Sequence, residues 1–345
     1  MSDIEASELG LSYDLLGNFV TVSRSQQIML ATWAAATNIF KHYPAFARLD
    51  LAAIEKGCGK TVAMESTLAL CPESITVAYT TQSSVKNWID EYPNSIIGLD
   101  ERDLLFGTMG RARGASAELV AILNAGYAQN GTVMATRSGK SVIMPVYNAM
   151  ATAGIGRAYD TLADRSCTIV LKKALPVDTW VSVLHETTMA RAGKDVGEWL
   201  KSGDAQKVLK RTPVIAPLLG KDRDPRHQLK YAPMYAVAVV GGFADQWLEA
   251  ELEIFTGLSA SPLPSRAEML LTALTAALPG MRVTSDEIRS AGIQGFDFMP
   301  GRIGDIEIAG LLRQVGVETQ TSNGVRGYQI PENTEHRTQN TGVSA

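Results

Sequence analysis

The chain has 345 residues, more than one compact core holds, and its 46% hydrophobic and 20% charged residues are ordinary for a globular protein. A formal net charge of −4 excludes a broadly basic nucleic-acid coat, though not a local basic face. Cys58, Cys71 and Cys167 form neither a metal-ligand cluster nor a disulfide framework, which predicts a reducing, cytoplasmic setting. No secretion signal opens the chain, and no apolar run approaches the roughly 20 residues that span a bilayer, so no membrane contact is expected.

Residues 1–45 read as an N-terminal helical segment. Within it "SRSQQIMLATWAAATNIFKH" carries an apolar stripe at helical spacing, with Ser23 or Ser25 as the cap. Over 46–176, apolar stretches alternate with helical ones: "ARLDLAAI", "ITVAYT", "SIIGLD", "GTVMAT" and "CTIVLKK". That alternation predicts an α/β core whose largely parallel sheet is covered on both faces. Residues 177–258 turn helical through to "ADQWLEAELEIF", and "TGLSASPLPSRAE" then reads as a linker. A small unit over 259–331 follows, with helices near Thr284–Ser290 and Asp305–Gln314 and a hairpin turning at Asn323-Gly324. The polar tail, 332–345, is predicted to be disordered.

The chemistry centres on "AAIEKGCGKTVAMESTLAL", where Gly59-Lys60-Thr61 closes a phosphate-binding loop between a strand and an apolar-striped helix. In such loops backbone N–H groups surround the phosphates, the lysine reaches the β- and γ-phosphates, and the hydroxyl residue binds magnesium. Gly57 and Gly59 supply the positions of close approach. The usual opening glycine is replaced by Ile54. A loop ATPase also needs acids at the end of a neighbouring strand, one to hold magnesium and one to polarise the attacking water. "SIIGLDERD" provides them as Asp100 and Glu101, and Asp103 is the nearest substitute for Glu101.

These residues carry a resemblance. The chain resembles a family of phage, plasmid and bacterial P-loop ATPase domains of unknown function, often joined to primase–polymerase modules. The family's opening helix bears Trp, Thr and Phe, matched by Trp33, Thr37 and Phe40. Its loop, S-P-E-K-x-C-G-K-T, is matched by "AIEKGCGKT", with Ala53-Ile54 in place of Ser-Pro. "AELVAILNAGY" is similar to its E-L-x-x-I-L-N-x-G-H helix, with Tyr127 for His, and "AGIGRAYDTLADRSCTIVL" to its A-G-I-G-x-L-P-D-T-L-x-D-R-S-I segment. "DPRHQLKYAPMYAVAVVGGFADQW" resembles its lid more loosely, with Ala232-Pro233 for Arg-Pro. "GDIEIAGLLRQVGVETQTSNGVRGYQI" resembles its terminal hairpin unit. The match runs from about residue 15 to 331, and a stand-alone version without a primase module is the expectation.

The resemblance implies an AAA-type P-loop core, a helical lid over 177–258 and a winged-helix-like C-terminal unit. It implies that Glu55, Lys56, Gly57 and Cys58, with Gly59, Lys60, Thr61 and Val62, bind ATP. Magnesium would rest on Thr61 and Asp100, and Glu101 would activate water. Arg165 would enter a neighbouring subunit's site, as a guanidinium suits transferring phosphoryl charge; an ion pair with Asp160 or Asp164 is the alternative. Thr152 would orient the attacking water, with Asn148 as rival. Arg226 would reach the γ-phosphate from the lid, with Arg223 and Lys230 as alternatives.

His42, His185, His227 and His336 lack metal-ligand spacing. "TRSGKS" precedes a strand-like "VIMP" and reads as a basic turn between strands, not a second phosphate loop. "FGTMGRARGAS" is either a DNA-touching loop or a surface excursion. The five tryptophans read as core or lid packing. In the C-terminal unit Arg302, Arg313 and Arg326 favour DNA, Asp305, Glu307 and Glu318 dilute that charge, and a protein-contact role stands equally open. The expected protein is a ring-type ATPase, homo-oligomeric and hexameric in the typical case. It would act with ATP and magnesium on single- or double-stranded DNA, beside replication proteins, as a helicase-like motor or accessory factor of phage or mobile-element replication. The alternative is a nucleotide-dependent DNA-binding regulator or switch with little turnover.

Overall fold

The computed structural model describes residues 3–78, 80–102, 113–137, 139–173, 183–220, 223–260, 263–264, 266–290, 305–317, 319–322 and 325–332. Two compact units divide them, the larger within 1–106 and 115–262, the smaller taking Arg113, Gly114 and the residues from Leu263 onward.

The larger unit opens with α1 (Gly10–Phe19) and α2 (Arg24–Ala36). Ser23 rather than Ser25 caps α2: its hydroxyl accepts the Gln26 N–H while the Gln26 side chain accepts the Ser23 N–H, a reciprocal box. Ser25 instead donates to Glu253. Helix α2 is buried on nearly every side, so it forms core rather than surface. The family-motif residues serve that core. Trp33 donates Nε1–H to Ala47 O at 2.8 Å and stacks on Phe46, which also stacks on Phe40.

Then come β1 (Arg48–Ala53), α3 (Lys60–Ala69), β2 (Ser74–Val77), α4 (Gln82–Glu91), β3 (Ile96–Leu99), α5 (Arg113–Ala125), β4 (Thr132–Arg137), β5 (Lys140–Pro145), β6 (Met150–Ile155), α6 (Asp160–Ala163) and β7 (Ser166–Leu171). Five of these strands make a parallel sheet in the order β2-β3-β6-β1-β7. Its central strands are buried on both faces because helices cover both, as the unbroken burial of β1 and β3 records. The stretch "GTVMAT" departs from the expectation of a parallel strand. As β4 it pairs antiparallel with β5, outside the main sheet. Its alternating exposure is that of a ribbon with one wet face, a pattern distinct from a buried parallel strand. "TRSGKS" spans the junction of these two strands, as expected of a turn.

Helices α7 (Val183–Lys201), α8 (Gly203–Leu209), α9 (Pro225–Gly241) and α10 (Ala244–Ala260) complete the unit. Asp224 caps α9, accepting the His227 N–H at 2.8 Å, and Pro225 takes the first turn, where a missing N–H costs nothing. Trp247 of α10 donates to Thr32 of α2 at 3.1 Å, and Tyr231 and Tyr235 pack against its ring. The helices expected as a lid thus share one apolar core with α2, β1 and β7.

The smaller unit holds α11 (Arg266–Ala277), β8 (Arg282–Val283), α12 (Ser285–Ser290), α13 (Asp305–Gln314), β9 (Thr319–Ser322) and β10 (Val325–Gln329). Its antiparallel sheet runs β8-β10-β9. The segment expected as a linker is mostly helix, because α10 runs to Ala260 and α11 starts at Arg266. Pro264 lies between the two helices, whereas Ser259 is still within α10. The Asn323-Gly324 turn, Asp103, most of the "FGTMGRARGAS" insertion, Arg302, Glu318, His336 and the tail beyond 332 lie outside the described residues.

Candidate nucleotide-binding site

All five parallel strands finish at one edge of the sheet, where open α/β sheets bind their ligands. There β1 passes through residues 54–59 into α3. Gly57 and Gly59 have φ of 77° and 74°, the left-handed region that glycine enters without strain. A Cβ at either position would meet nothing within 4 Å, so backbone conformation rather than crowding calls for glycine. The first N–H groups of α3 have no partner within the helix and face this loop. Ile54, Glu55 and Lys56 are exposed, Val62 is half-buried, and Cys58 turns its side chain into the core, leaving its backbone to the loop. Lys60, the first residue of α3, places Nζ 3.5 Å from Glu55 O, across the loop.

The acids arrive from β3, two places along the sheet from β1. Asp100 N–H donates to Val77 O at 3.0 Å, pinning the strand end to β2. Thr61 Oγ1 donates to Asp100 Oδ2 at 2.8 Å, joining loop and acidic strand. The fold is P-loop NTPase-like. A hydroxyl beside a carboxylate offers hard oxygen donors of the kind magnesium prefers. Next to it, Glu101 is exposed and donates its N–H to Asp100 Oδ1 at 2.8 Å.

Thr152 is placed differently from the expectation. It lies in the middle of β6, fully buried, and its hydroxyl donates to Asp50 Oδ1 at 2.8 Å. That bond occupies the group meant for an attacking water. Asn148 is also buried, with its amide on Ser95 O at 2.7 Å, and satisfies backbone as the bland alternative held.

Arg165 and Arg226 belong to the opposite edge of the sheet. Arg165 precedes β7, and its carbonyl accepts Arg48 N–H at the start of β1. A six-residue strand is ~20 Å long, so Arg165 stands about that far from the loop of its own chain. It pairs with neither flanking acid. Asp160 is taken by Arg157 at 2.9 Å and Asp164 by Arg226. The Arg165 guanidinium instead lies over the Tyr127 ring, 5.0 Å from its centroid, and donates to Thr161 O at 2.7 Å.

Arg226 is therefore committed to Asp164 at the amino edge, away from the loop it was expected to reach. Its alternatives are committed too. Arg223 pairs with buried Glu251 at 2.7 Å, and Lys230 donates to Asp164 O and Ser166 O. Burial pushes the Lys230 ammonium down to about 8 and raises the Glu251 carboxyl to about 6 against the pull of Arg223. His227, which sequence spacing left isolated, comes within 4.8 Å of Asp164 and Asp224. Those acids already serve Arg226 and the α9 cap. Burial raises the Cys71 and Cys167 thiols to about 12, so both are inert at neutral pH.

Sequence reasoning missed Asp50 and Arg102. Arg102 Nε lies 3.0 Å from Asp50 Oδ1, with both side chains buried, and its Nη2 donates to Gly156 O at 3.0 Å. One signal was present: an aspartate within the otherwise apolar "LDLAAI" must find a partner.

No protein-family model matches the chain, so the family resemblance stands on its motifs alone. No curated protein matches it either. Among solved structures the chain is similar to "SCCmec type IV Cch - active helicase", with 9% identity and a TM-score of 0.39 over 88% of this chain and 66% of that one. It is also similar to the A form apo structure of the NrS-1 C-terminal region, with 13% identity and a TM-score of 0.36 over 93% of this chain and 75% of that one. The chain thus spans just under two thirds of the first structure's length.

Proposed function

We propose that the chain binds and hydrolyses ATP with magnesium, as a homo-oligomeric, helicase-like motor or accessory factor in phage or mobile-element DNA replication. The observation that carries the nucleotide site is the 2.8 Å bond from Thr61 to Asp100 at the carboxyl edge, beside a loop with two left-handed glycines. The part assigned to DNA rests on the sequence resemblance.

In this reading the loop amides and Lys60 hold the phosphates. Thr61 and Asp100 hold magnesium, which when bound offsets phosphate charge. Glu101 polarises the attacking water. Arg165 is too far from its own loop to act there, so it serves the loop of a neighbouring subunit. Its guanidinium, neutralised by neither flanking acid, is suited to phosphoryl charge.

The test is ATP hydrolysis with and without single-stranded DNA, together with the mass of the nucleotide-bound assembly and the same measurements on Lys60→Ala. Lys60→Ala is expected to lose nucleotide affinity while keeping its fold, because the main cation on the phosphates is gone. Unchanged ATP affinity in that variant sinks the phosphate-loop assignment. Assembly on ATP without turnover replaces the motor with a nucleotide-controlled switch.

A further inference from the structure

Glu101 has φ of 51°, and it is the one non-glycine residue with positive φ among those described. A conformation of this kind is strained for a residue with a side chain and persists only where the surroundings enforce it. The enforcement is visible on both sides. Before Glu101, Asp100 is tied to Val77 and Thr61 and accepts the Glu101 N–H. After it, Arg102 is 3% exposed and bound to Asp50 and to Gly156 O. Asp50 is 0% exposed, belongs to β1, the strand that feeds the phosphate loop, and holds Thr152 of β6.

From this geometry we infer that the buried Arg102–Asp50 pair is a positioning device. It fixes the left-handed backbone of Glu101 relative to the phosphate-loop strand, and so sets where the Glu101 carboxylate stands. The inference rests on the hydrolytic role proposed for Glu101, but its structural half does not. An exposed carboxylate on an unanchored turn would sample many positions, and a misplacement of ~1 Å can cost about 100-fold in rate. Arg102 touches no reacting atom; it acts through the backbone.

The experiment compares Arg102→Met, Asp50→Asn and the double variant with wild type. The readouts are thermal unfolding, ATP-analogue affinity, kcat, and hydrogen exchange of the Glu101 amide. Each single variant leaves a buried charge without its partner and is expected to lose stability, whereas the double variant removes both charges and recovers it. A purely structural pair would then recover turnover as well. A positioning pair recovers stability and nucleotide affinity while kcat stays about 100-fold down. Recovery of both stability and turnover in the double variant overturns the proposal. Should the single variants fail to fold, the double variant and Arg102→Lys, which keeps the charge and part of the rate, still decide it. Should wild type bind ATP without hydrolysing it, the proposed function fails separately. The positioning claim then turns on exchange alone, with the Glu101 amide expected to exchange at least about tenfold faster in the double variant. Equal exchange would refute it.

Discussion

The two edges of the central sheet are built differently. At the carboxyl edge Lys60, Thr61, Asp100 and Glu101 converge from two strands, their side chains exposed or half-buried and joined by one side-chain bond. At the amino edge the charges are locked: Lys230 on two carbonyls, Arg226 on Asp164, Arg223 on Glu251. Arg165 alone among the candidate arginines there lacks a carboxylate, resting on Tyr127 and a carbonyl. A charge kept near water and away from acids remains available to an incoming anion, whereas a buried pair is spent on the fold. The two edges are one strand length apart, so a site that uses both needs two chains.

The strongest challenge to that comparison is Arg165→Ala. If the amino edge serves a neighbour's loop, the variant should bind ATP normally and lose turnover by about 10⁴-fold, since guanidinium charge favours the transition state over the ground state. Mixing it with Glu101→Gln subunits should restore part of the activity, because some interfaces then join an intact Glu101 to an intact Arg165. Co-assembled mutants that recover nothing, or a wild-type monomer that hydrolyses efficiently, would break the shared-site reading.

Glu101→Gln sharpens the carboxyl edge. Shape is kept and the carboxylate lost, so ATP should still bind while kcat drops by about 10³-fold. A normal rate in single-turnover measurements would move the catalytic role to another residue.

The smallest effect belongs to the locked charges. Folding lowers the Lys230 pKa from 10.5 to about 8, through burial. Between those values the unfolded chain binds more protons, so this residue makes stability rise with pH over about 8 to 10.5. Below about pH 8 the cost of burying its charge is fully present. Lys230→Met should flatten the rise, seen as a smaller difference between urea midpoints at two pH values inside the window and below it. An identical pH response in the variant would show that Lys230 is not its source.

Much of the carboxyl edge was legible in the chain. A strand, two glycines, Lys-Thr and a helix are contiguous, and Asp-Glu directly follows the continuous apolar run of a strand buried on both faces. Arg102 was not legible, because in "LDERD" it reads as one more charge in a wet turn. Its burial depends on Asp50, 52 positions earlier. Thr152 misled for a related reason: a polar residue in a strand suggests a sensor until its partner is known, and the partner lies on the adjacent strand.

By itself the sequence determined the α/β alternation, the strand–loop–helix that carries Gly57, Gly59, Lys60 and Thr61, the Asp100-Glu101 strand end, and the two helices near 284–290 and 305–314. Each of these is written within a few residues or in a local periodicity. Only the tertiary structure decided that "GTVMAT" leaves the parallel sheet, that Arg226 is spent on Asp164, and that Arg165 stands a strand length from its own loop. Strand order and ion-pair choice join residues far apart in the chain. They are settled by which buried groups find partners on packing, and no local pattern encodes that competition.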